Sequence, residues 1–221
     1  MPTHPNIGLN EILQRSAALD EGIIRLIDPD TYQVFDASAR ISASFSACCI
    51  SMEHARSLRL LIHEELPTSA IGLMRLQYEA LVRSVWLFYA APEAVAEKLN
   101  ATLTADTEKA ASKLPMLSEM LQALAGKAPA PAVQGLNQFK ATSAGALHSF
   151  VHASIHPLKR HLDGYPLPLL IQIIRNSNGL FTMSGMMFAI LSGNTNLMQR
   201  MGSIQPAFSD CLPELLSPAV S

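Results

Sequence analysis

The chain has 221 residues, of which 49% are hydrophobic and 15% are charged, and its formal net charge is −2. Soluble proteins average about 25% charged residues, so this sequence is unusually apolar, and its length suits one domain. The near-zero net charge gives no electrostatic support for a DNA partner, because DNA-binding proteins usually present a basic surface.

The first half of the chain predicts three long helices, each with apolar residues at a helical period. The first spans 7–27 and is broken by an Asp-Pro-Asp sequence at 28–30. The second spans 36–66, and a Pro-Thr-Ser sequence at 67–69 stops it and starts the next. The third helix ends near residue 91. We find no alternating apolar and polar run long enough to predict a strand.

The middle and the last part of the chain predict shorter helices followed by two long ones. A capping sequence at 104–108 and short helical pieces at 115–125 precede a loop at 125–131. A helix over 132–156 should end before Pro157, since the residue before a proline disfavours helix. The remaining predicted segments are a turn at 164–168, an apolar helix at 169–191, a short helix at 195–201 and an irregular tail at 206–221.

These elements predict an all-α fold: an antiparallel bundle of four to five long helices with short additional helices. We expect one helical-bundle domain over 1–221, with an N-terminal helix in 1–35, a core bundle in 36–201 and an irregular tail in 202–221. Only four charged residues follow Gly164, so we also expect the charge-poor region 169–201 to be buried, with a homodimer as the natural way to cover it.

The cysteines and the apolar runs predict where the protein resides. Cys48, Cys49 and Cys211 form neither a disulfide framework nor a zinc spacing, which is typical of a reducing compartment. The N-terminal residues lack the basic and apolar regions of a signal peptide. The apolar run at 179–191 is shorter than the roughly 18–20 residues that a spanning helix needs. We therefore expect a cytoplasmic protein without a membrane partner.

Four of the seven histidines fall between residues 148 and 161. His148, His152 and His156 are spaced i, i+4, i+8, so a continuous helix would place them on one face. Imidazole changes its charge near neutral pH and is a common metal ligand, so the stripe indicates catalysis or ligand binding. The alternative is a structural role. His148 and His152 would then hydrogen-bond to backbone carbonyls or to neighbouring serines, and His156 would be a polar helix end, where a cation interacts favourably with the helix dipole.

A second stripe at the same spacing lies on the third predicted helix and consists of Arg75, Glu79 and Arg83. The first hypothesis is an exposed ladder that stabilises the helix by a few tenths of a kcal/mol per pair. The second is a buried or cleft-lining network, which requires paired charges. We favour the second, because this helix has too few polar residues for an ordinary solvated face.

The two stripes support two kinds of chemistry. A metal would need more donors than histidines at i and i+4, and the only carboxylates we can propose for it are Glu65 and Glu79. Acid–base chemistry needs a histidine beside a carboxylate, and an arginine to hold a phosphate, as in a metal-independent ribonuclease. We predict that the histidine helix packs beside the Arg75 helix.

The polar run 176–179, Asn-Ser-Asn-Gly, interrupts an otherwise apolar helix. It fits a kink, a helix–helix contact through small residues, or a polar patch that reaches the site; we favour the patch and assign Asn176 and Asn178 to ligand binding, together with Arg83 and His156. The chain has no glycine-rich phosphate loop, no nucleophile elbow and no zinc motif, so we expect no cofactor and leave any metal site undefined.

Several strings in the sequence resemble an uncharacterised family of bacterial helical proteins of unknown function, over most of residues 36–200. They begin at Arg75 (RLQYEALVR), Leu147 (LHSFVH), Gly164 (GYP) and Arg175 (RNSNGL). That family is similar to the HEPN-type helical bundles of toxin, abortive-infection and phage-defence systems. HEPN ribonucleases carry an arginine and a histidine with four to six residues between them, a spacing that this chain shows at Arg56 and His63.

The resemblance implies a bacterial, cytoplasmic, all-α, dimeric protein, and it leaves two functions open. The first is a non-catalytic helical module of a toxin–antitoxin, immunity or defence system, which binds a partner protein or a small anionic ligand. The second is a HEPN-like enzyme that acts on RNA or a nucleotide, with His148, His152, Arg75 and Glu79 as its catalytic residues. A metal-binding bundle is the third alternative.

Overall fold

The computed structural model describes residues 7–111 and 114–214, and within these ranges it contains helices and no strand. The predicted all-α bundle is confirmed. The helices are α1 (Leu9–Ile27), α2 (Ala39–His63), α3 (Pro67–Tyr89), α4 (Glu93–Asn100), α5 (Ala105–Ala111), α6 (Leu117–Ala123), α7 (Ala130–Val151), α8 (Ile155–Asp163), α9 (Leu167–Leu191), α10 (Thr195–Gly202) and α11 (Ile204–Ala207). The first six residues and the predicted tail beyond 214 lie outside the described residues.

The centre of the bundle consists of α2, α3 and α9, with α1 packed on α9 and α7 packed on the outer side of α3. The connection between α2 and α3 is short because Glu65 adopts a left-handed conformation, with φ 59°, and Pro67 starts the next helix at once. This tight turn makes α2 and α3 an antiparallel pair, as the sequence predicts.

Buried polar side chains set the register of the three central helices. Ser44 on α2 and Ser84 on α3 each donate a hydroxyl to the other's carbonyl oxygen, both at 2.8 Å. Gln77 donates its amide to the carbonyl of Ser177 on α9 at 2.9 Å, and the Ser177 hydroxyl donates back to Gln77 Oε1 at 2.7 Å. Each of these four side chains therefore bonds to a neighbouring helix, and sliding a helix would leave it unpaired.

The charge-poor segment is buried within the chain itself. Helix α9 packs against α1, α2, α3 and α10, and about half of its residues are inaccessible to solvent. The low charge of 169–201 therefore needs no second subunit to explain it, and the composition alone does not locate a dimer interface there. None of the described helices is both long and apolar enough to cross a membrane.

The predicted continuous helix over 132–156 is wrong. Helix α7 ends at Val151, His152 is its C-cap, and Ala153 adopts a left-handed conformation with φ 48° before α8 begins. Pro157 lies in the first turn of α8 instead of ending a helix. A proline is tolerated in a first turn but breaks the hydrogen bonds of a helix interior, so the chain has to break one turn earlier.

The C-terminal part of the described chain is more ordered than predicted. Helix α11 and a 3₁₀ turn over Ser209–Cys211 pack against α1. Arg15 on α1 binds both carboxylate oxygens of Asp210, at 2.6 and 2.9 Å, and lies over the ring of Phe208. This bidentate pair lowers the pKa of the Asp210 carboxyl and attaches the C-terminal turn to the bundle.

Candidate functional site

The stripe on α3 lies at the border between α3 and α7. Arg75 and Glu79 form an ion pair of 2.8 Å, and both side chains are partly exposed. The second terminal nitrogen of the Arg75 guanidinium, Nη1, donates to the carbonyl oxygen of Ala144 on α7 at 3.2 Å. The pair is thus neither a fully solvated ladder nor a buried network, but a half-buried link between two helices.

Arg83 does not extend this pair. Its Nε is buried and has no hydrogen-bond partner among the described residues. Although Arg83 follows Glu79 by one helical turn, Glu79 is engaged by Arg75, on the preceding turn. The three-residue stripe of the sequence is therefore a pair and a separate arginine.

The histidine stripe is likewise reduced from three residues to two. The rings of His148 and His152 lie 4.4 Å apart between centroids and are tilted by 57°, at the exposed C-terminal end of α7. His156 belongs to α8, where its backbone N–H donates to the hydroxyl of Ser149 and its ring stacks near Phe150 at 6.5 Å. The break at Ala153 removes His156 from the face shared by the other two.

The hydrogen bond of Arg75 reaches the same helix that carries the histidine pair. The carbonyl that Arg75 binds belongs to Ala144, one helical turn before His148. The prediction that the histidine helix packs beside the Arg75 helix is confirmed. Because His148 and His152 are both exposed, the arrangement is a surface site that solvent reaches, not an enclosed cleft.

Asn178 and Asn176, both on α9, belong to other parts of the molecule. Asn178 is fully buried, and its amide donates to the hydroxyl of Ser16 at 2.7 Å and to the carbonyl of Cys211 at 2.9 Å. Asn176 accepts a hydrogen bond from Gln172 one turn before it. Neither asparagine reaches the histidine pair, so the polar run serves helix packing instead of that site.

The Arg56–His63 spacing also fails to form a site. Arg56 binds both carboxylate oxygens of Asp20 on α1, which raises the pKa of the arginine, while His63 is exposed at the end of α2. Arg59, one turn further, is buried and binds the same carboxylate. Arg56 and Arg59 therefore hold α1 in place.

No metal centre is evident in the described part of the chain. Over residues 7–111 and 114–214, no group of three or more His, Cys, Asp or Glu side chains is placed to hold an ion. Glu65 lies in the turn between α2 and α3, and Glu79 is paired with Arg75.

A cavity of about 940 Å³ lies between α7 and α9, and no pattern in the sequence predicts it. The cavity exists because α7 packs against α3 and makes few close contacts with α9. The hydroxyl of Tyr78 on α3 donates to the Leu136 carbonyl of α7 at 2.9 Å and holds α7 in this position. The one sequence feature that points to the cavity is the concentration of methionines in α9 and α10. Their helical spacing is also that of ordinary core residues, so the spacing alone does not distinguish a cavity wall from a packed core.

Comparisons with known proteins give one match. Residues 48–214 match a family described as a family of unknown function (DUF6988). No curated protein and no solved structure shows a significant match to the chain.

Proposed function

The chain belongs to a family of unknown function, DUF6988, and from its own geometry we propose that it is a non-catalytic helical module that binds a small anionic ligand or a partner protein. The binding surface is the border between α3 and α7, formed by Arg75, Glu79, His148 and His152.

The observation that carries this proposal is the contact of Arg75 with α7. The guanidinium reaches the carbonyl oxygen of Ala144 at 3.2 Å, and Ala144 precedes His148 of the exposed imidazole pair by one helical turn. An oxyanion binds guanidinium and imidazolium N–H groups through charge-assisted hydrogen bonds. Two protonated rings 4.4 Å apart repel each other, and a bound anion relieves that repulsion.

Exposure of the imidazoles favours binding over catalysis. Acid–base catalysis gains most where water is excluded and the reacting groups are fixed, and His148 and His152 are both open to solvent. Glu79 is engaged by Arg75 and contributes no free base. The cavity between α7 and α9 is lined by none of these four residues.

A HEPN-like, metal-independent enzyme acting on RNA or a nucleotide is the second candidate. The same contact favours it, since an arginine beside a histidine pair can hold a phosphate while an imidazole moves a proton. We assign His148 and His152 the proton transfer and Arg75 the phosphate in that case. A metal-binding bundle is the weaker alternative, with the His148–His152 pair as its only proposed ligands.

The biological setting of the proposal rests on the resemblance. We propose a bacterial, cytoplasmic protein that acts in a toxin–antitoxin, immunity or phage-defence system, and that forms a homodimer. A neighbouring gene for a toxin or a nucleotidyltransferase would support this setting.

The first experiment is a titration with inorganic phosphate, followed by calorimetry. We expect the wild type to bind phosphate, because Arg75 and the two imidazoles can donate N–H groups to its oxygens. The double variant His148→Gln/His152→Gln should lose at least tenfold in affinity, the scale of one charged hydrogen bond. The exposed His63→Gln is the matched control and should bind like the wild type.

Two outcomes would count against the proposal. Equal phosphate affinity in the double variant and the wild type would exclude the imidazole pair as the anion site. Cleavage of RNA by the wild type that disappears in His152→Ala, with an unchanged melting temperature, would replace the non-catalytic function with the enzymatic one.

A further inference from the structure

We propose that the cavity between α7 and α9 is a second binding site, which takes a neutral and predominantly apolar small molecule. The cavity, of about 940 Å³, has α3 as its floor, α7 and α9 as its walls, and α10 and the residues after Cys211 at its margin. Small-molecule sites in proteins fall between roughly 300 and 1,000 Å³, so the space suits a ligand of that kind.

The packing of α7 shows why the space persists. Tyr78 holds α7 on α3, by its hydrogen bond to the Leu136 carbonyl and by packing its ring 4.6 Å from that of Phe139. On the side of α7 that faces α9 stands Gly135, where a Cβ would first meet Met183 Sδ at 3.9 Å. A larger residue at 135 would enter the cavity, so the glycine keeps it open.

The lining on the far wall is apolar and adaptable. Five methionines contribute to it from α9 and α10: Met183, Met186, Met187, Met198 and Met201. Methionine side chains are unbranched and polarisable, and such surfaces adjust to apolar ligands of different shape. An apolar ligand here would displace water from surface that is costly to hydrate.

The polar groups of the lining define the charge of the ligand. Gln134, Gln138 and Thr142 lie along the α7 wall, and the side-chain amide of the half-buried Gln138 has no hydrogen-bond partner among the described residues. The one charged side chain among the lining residues is Glu214, which already interacts with another group of the chain. Because no lysine or arginine belongs to the lining, an anion would be desolvated without a counter-charge.

The site differs in chemistry and position from the border between α3 and α7. That surface offers a guanidinium and two imidazoles to an anion, whereas the cavity offers thioethers and neutral amides. The two sites share α7 but none of their side chains, so binding at one can be abolished while the other is retained.

The test uses two fluorescent probes of nearly the same shape, N-phenyl-1-naphthylamine, which is neutral, and 8-anilino-1-naphthalenesulfonate, which carries a sulfonate. We expect the neutral probe to bind the folded full-length chain with one-to-one stoichiometry and blue-shifted emission. The anionic probe should bind at least tenfold more weakly.

Variants of two glycines in the same helix provide the matched comparison. Gly135→Leu should reduce affinity for the neutral probe at least tenfold, because the new side chain occupies the cavity, and it should not unfold the chain, because leucine favours helix over glycine. Gly145→Leu places the same residue where a Cβ meets nothing within 4 Å and outside the lining, so its probe affinity should equal that of the wild type.

Equal loss of affinity in both glycine variants, no loss in either, or equal affinity for the two probes would overturn this proposal. The His148→Gln/His152→Gln variant separates the two sites, since it should bind the neutral probe like the wild type. Conversely, Gly135→Leu should keep its phosphate affinity, so failure of one proposal leaves the other to be judged on its own result.

Discussion

Two asparagines on α9, two residues apart, occupy opposite environments. Asn178 is fully buried between α1 and the C-terminal turn, where its amide bonds to Ser16 and to the Cys211 carbonyl. Asn176 is half-buried, and its one side-chain partner is Gln172 on the same helix. The first therefore connects three parts of the fold, while the second contributes only locally.

We expect Asn178→Ala to lower the free energy of unfolding by about 1–3 kcal/mol, because it leaves the Cys211 carbonyl and the Ser16 hydroxyl without their buried partner. Asn176→Ala should stay within about 0.5 kcal/mol of the wild type. Urea unfolding followed by circular dichroism measures both. Similar values for the two variants would show that the buried network contributes nothing of its own.

Exposure also separates the structural from the functional hypothesis for the histidines. Replacing a buried histidine that donates to a carbonyl would leave that carbonyl without a hydrogen-bond donor and would lower the stability of the fold. His148 and His152, by contrast, are exposed, and their rings contact each other. Their substitution should therefore cost little stability, and a loss of phosphate binding in the double variant would report on the site itself.

At the scale of elements, the break between α7 and α8 is the feature that reshapes the candidate site. Ala153 has φ 48°, a conformation that costs an L-residue roughly 1 kcal/mol but costs glycine nothing. The hydroxyl of Ser149 accepts a hydrogen bond from the backbone N–H of His156, in the first turn of α8, and so fixes the new direction of the chain.

We expect Ala153→Gly to raise the free energy of unfolding by about 0.5–1 kcal/mol, since it relieves the left-handed strain. As a control, Ala146→Gly on the exposed side of α7 should lower it by about the same amount, because glycine weakens a helix interior. Thermal and chemical unfolding measure the two variants. A loss of stability in Ala153→Gly would mean that α7 continues through this residue.

At the scale of the whole molecule, α8 is a sparsely covered helix, in which Pro157 is the one buried residue. Ile155, Leu158 and Leu162 follow one stripe along it and are 69%, 60% and 81% exposed. Exposed apolar patches usually mark contacts with another molecule. A two-fold axis beside this stripe would pair α8 with α8 of a second copy in antiparallel orientation and would bury the same residues in both copies. We therefore propose this surface, beside the predicted 169–201, as a dimer interface, since about half of the residues of α9 are already buried within the chain.

We expect the wild type to sediment as a dimer at micromolar concentration and Leu158→Glu to sediment as a monomer, because the new carboxylate would lie in the apolar interface. The control is Leu103→Glu, at an exposed leucine outside any helix, which should remain a dimer. A wild type that sediments as a single species of about 24 kDa would reject the homodimer.

The packing of the termini bears on the predicted domain. Helix α1 contacts α9 and α11, and Arg15 joins it to Asp210 across nearly the whole length of the chain. These contacts support our proposal that the N-terminal helix, the core bundle and the described part of the tail form one domain.

The sequence by itself determined the fold class and most of the helices. The apolar periods of α1, α2, α3 and α9 are long and end at prolines, glycines or short polar runs, and these signals act over a few residues. The sequence also predicted the contact between the Arg75 helix and the histidine helix, because a bundle of a few long helices allows each helix only a few packing partners.

Only the tertiary structure decided which side chains share a surface. The spacing of His148, His152 and His156 is that of one helical face, but a single left-handed residue, Ala153, removes the third member. From the sequence, Asn178 is predicted to bind a ligand, because a polar group in an apolar helix needs a hydrogen-bond partner. In the fold, Ser16 and the Cys211 carbonyl are its partners, and both lie far from it in the sequence. The cavity depends on the distance between α7 and α9, which no local pattern encodes. Helical periods are set by neighbours along the chain, whereas burial and partners are set by residues that lie far apart in it.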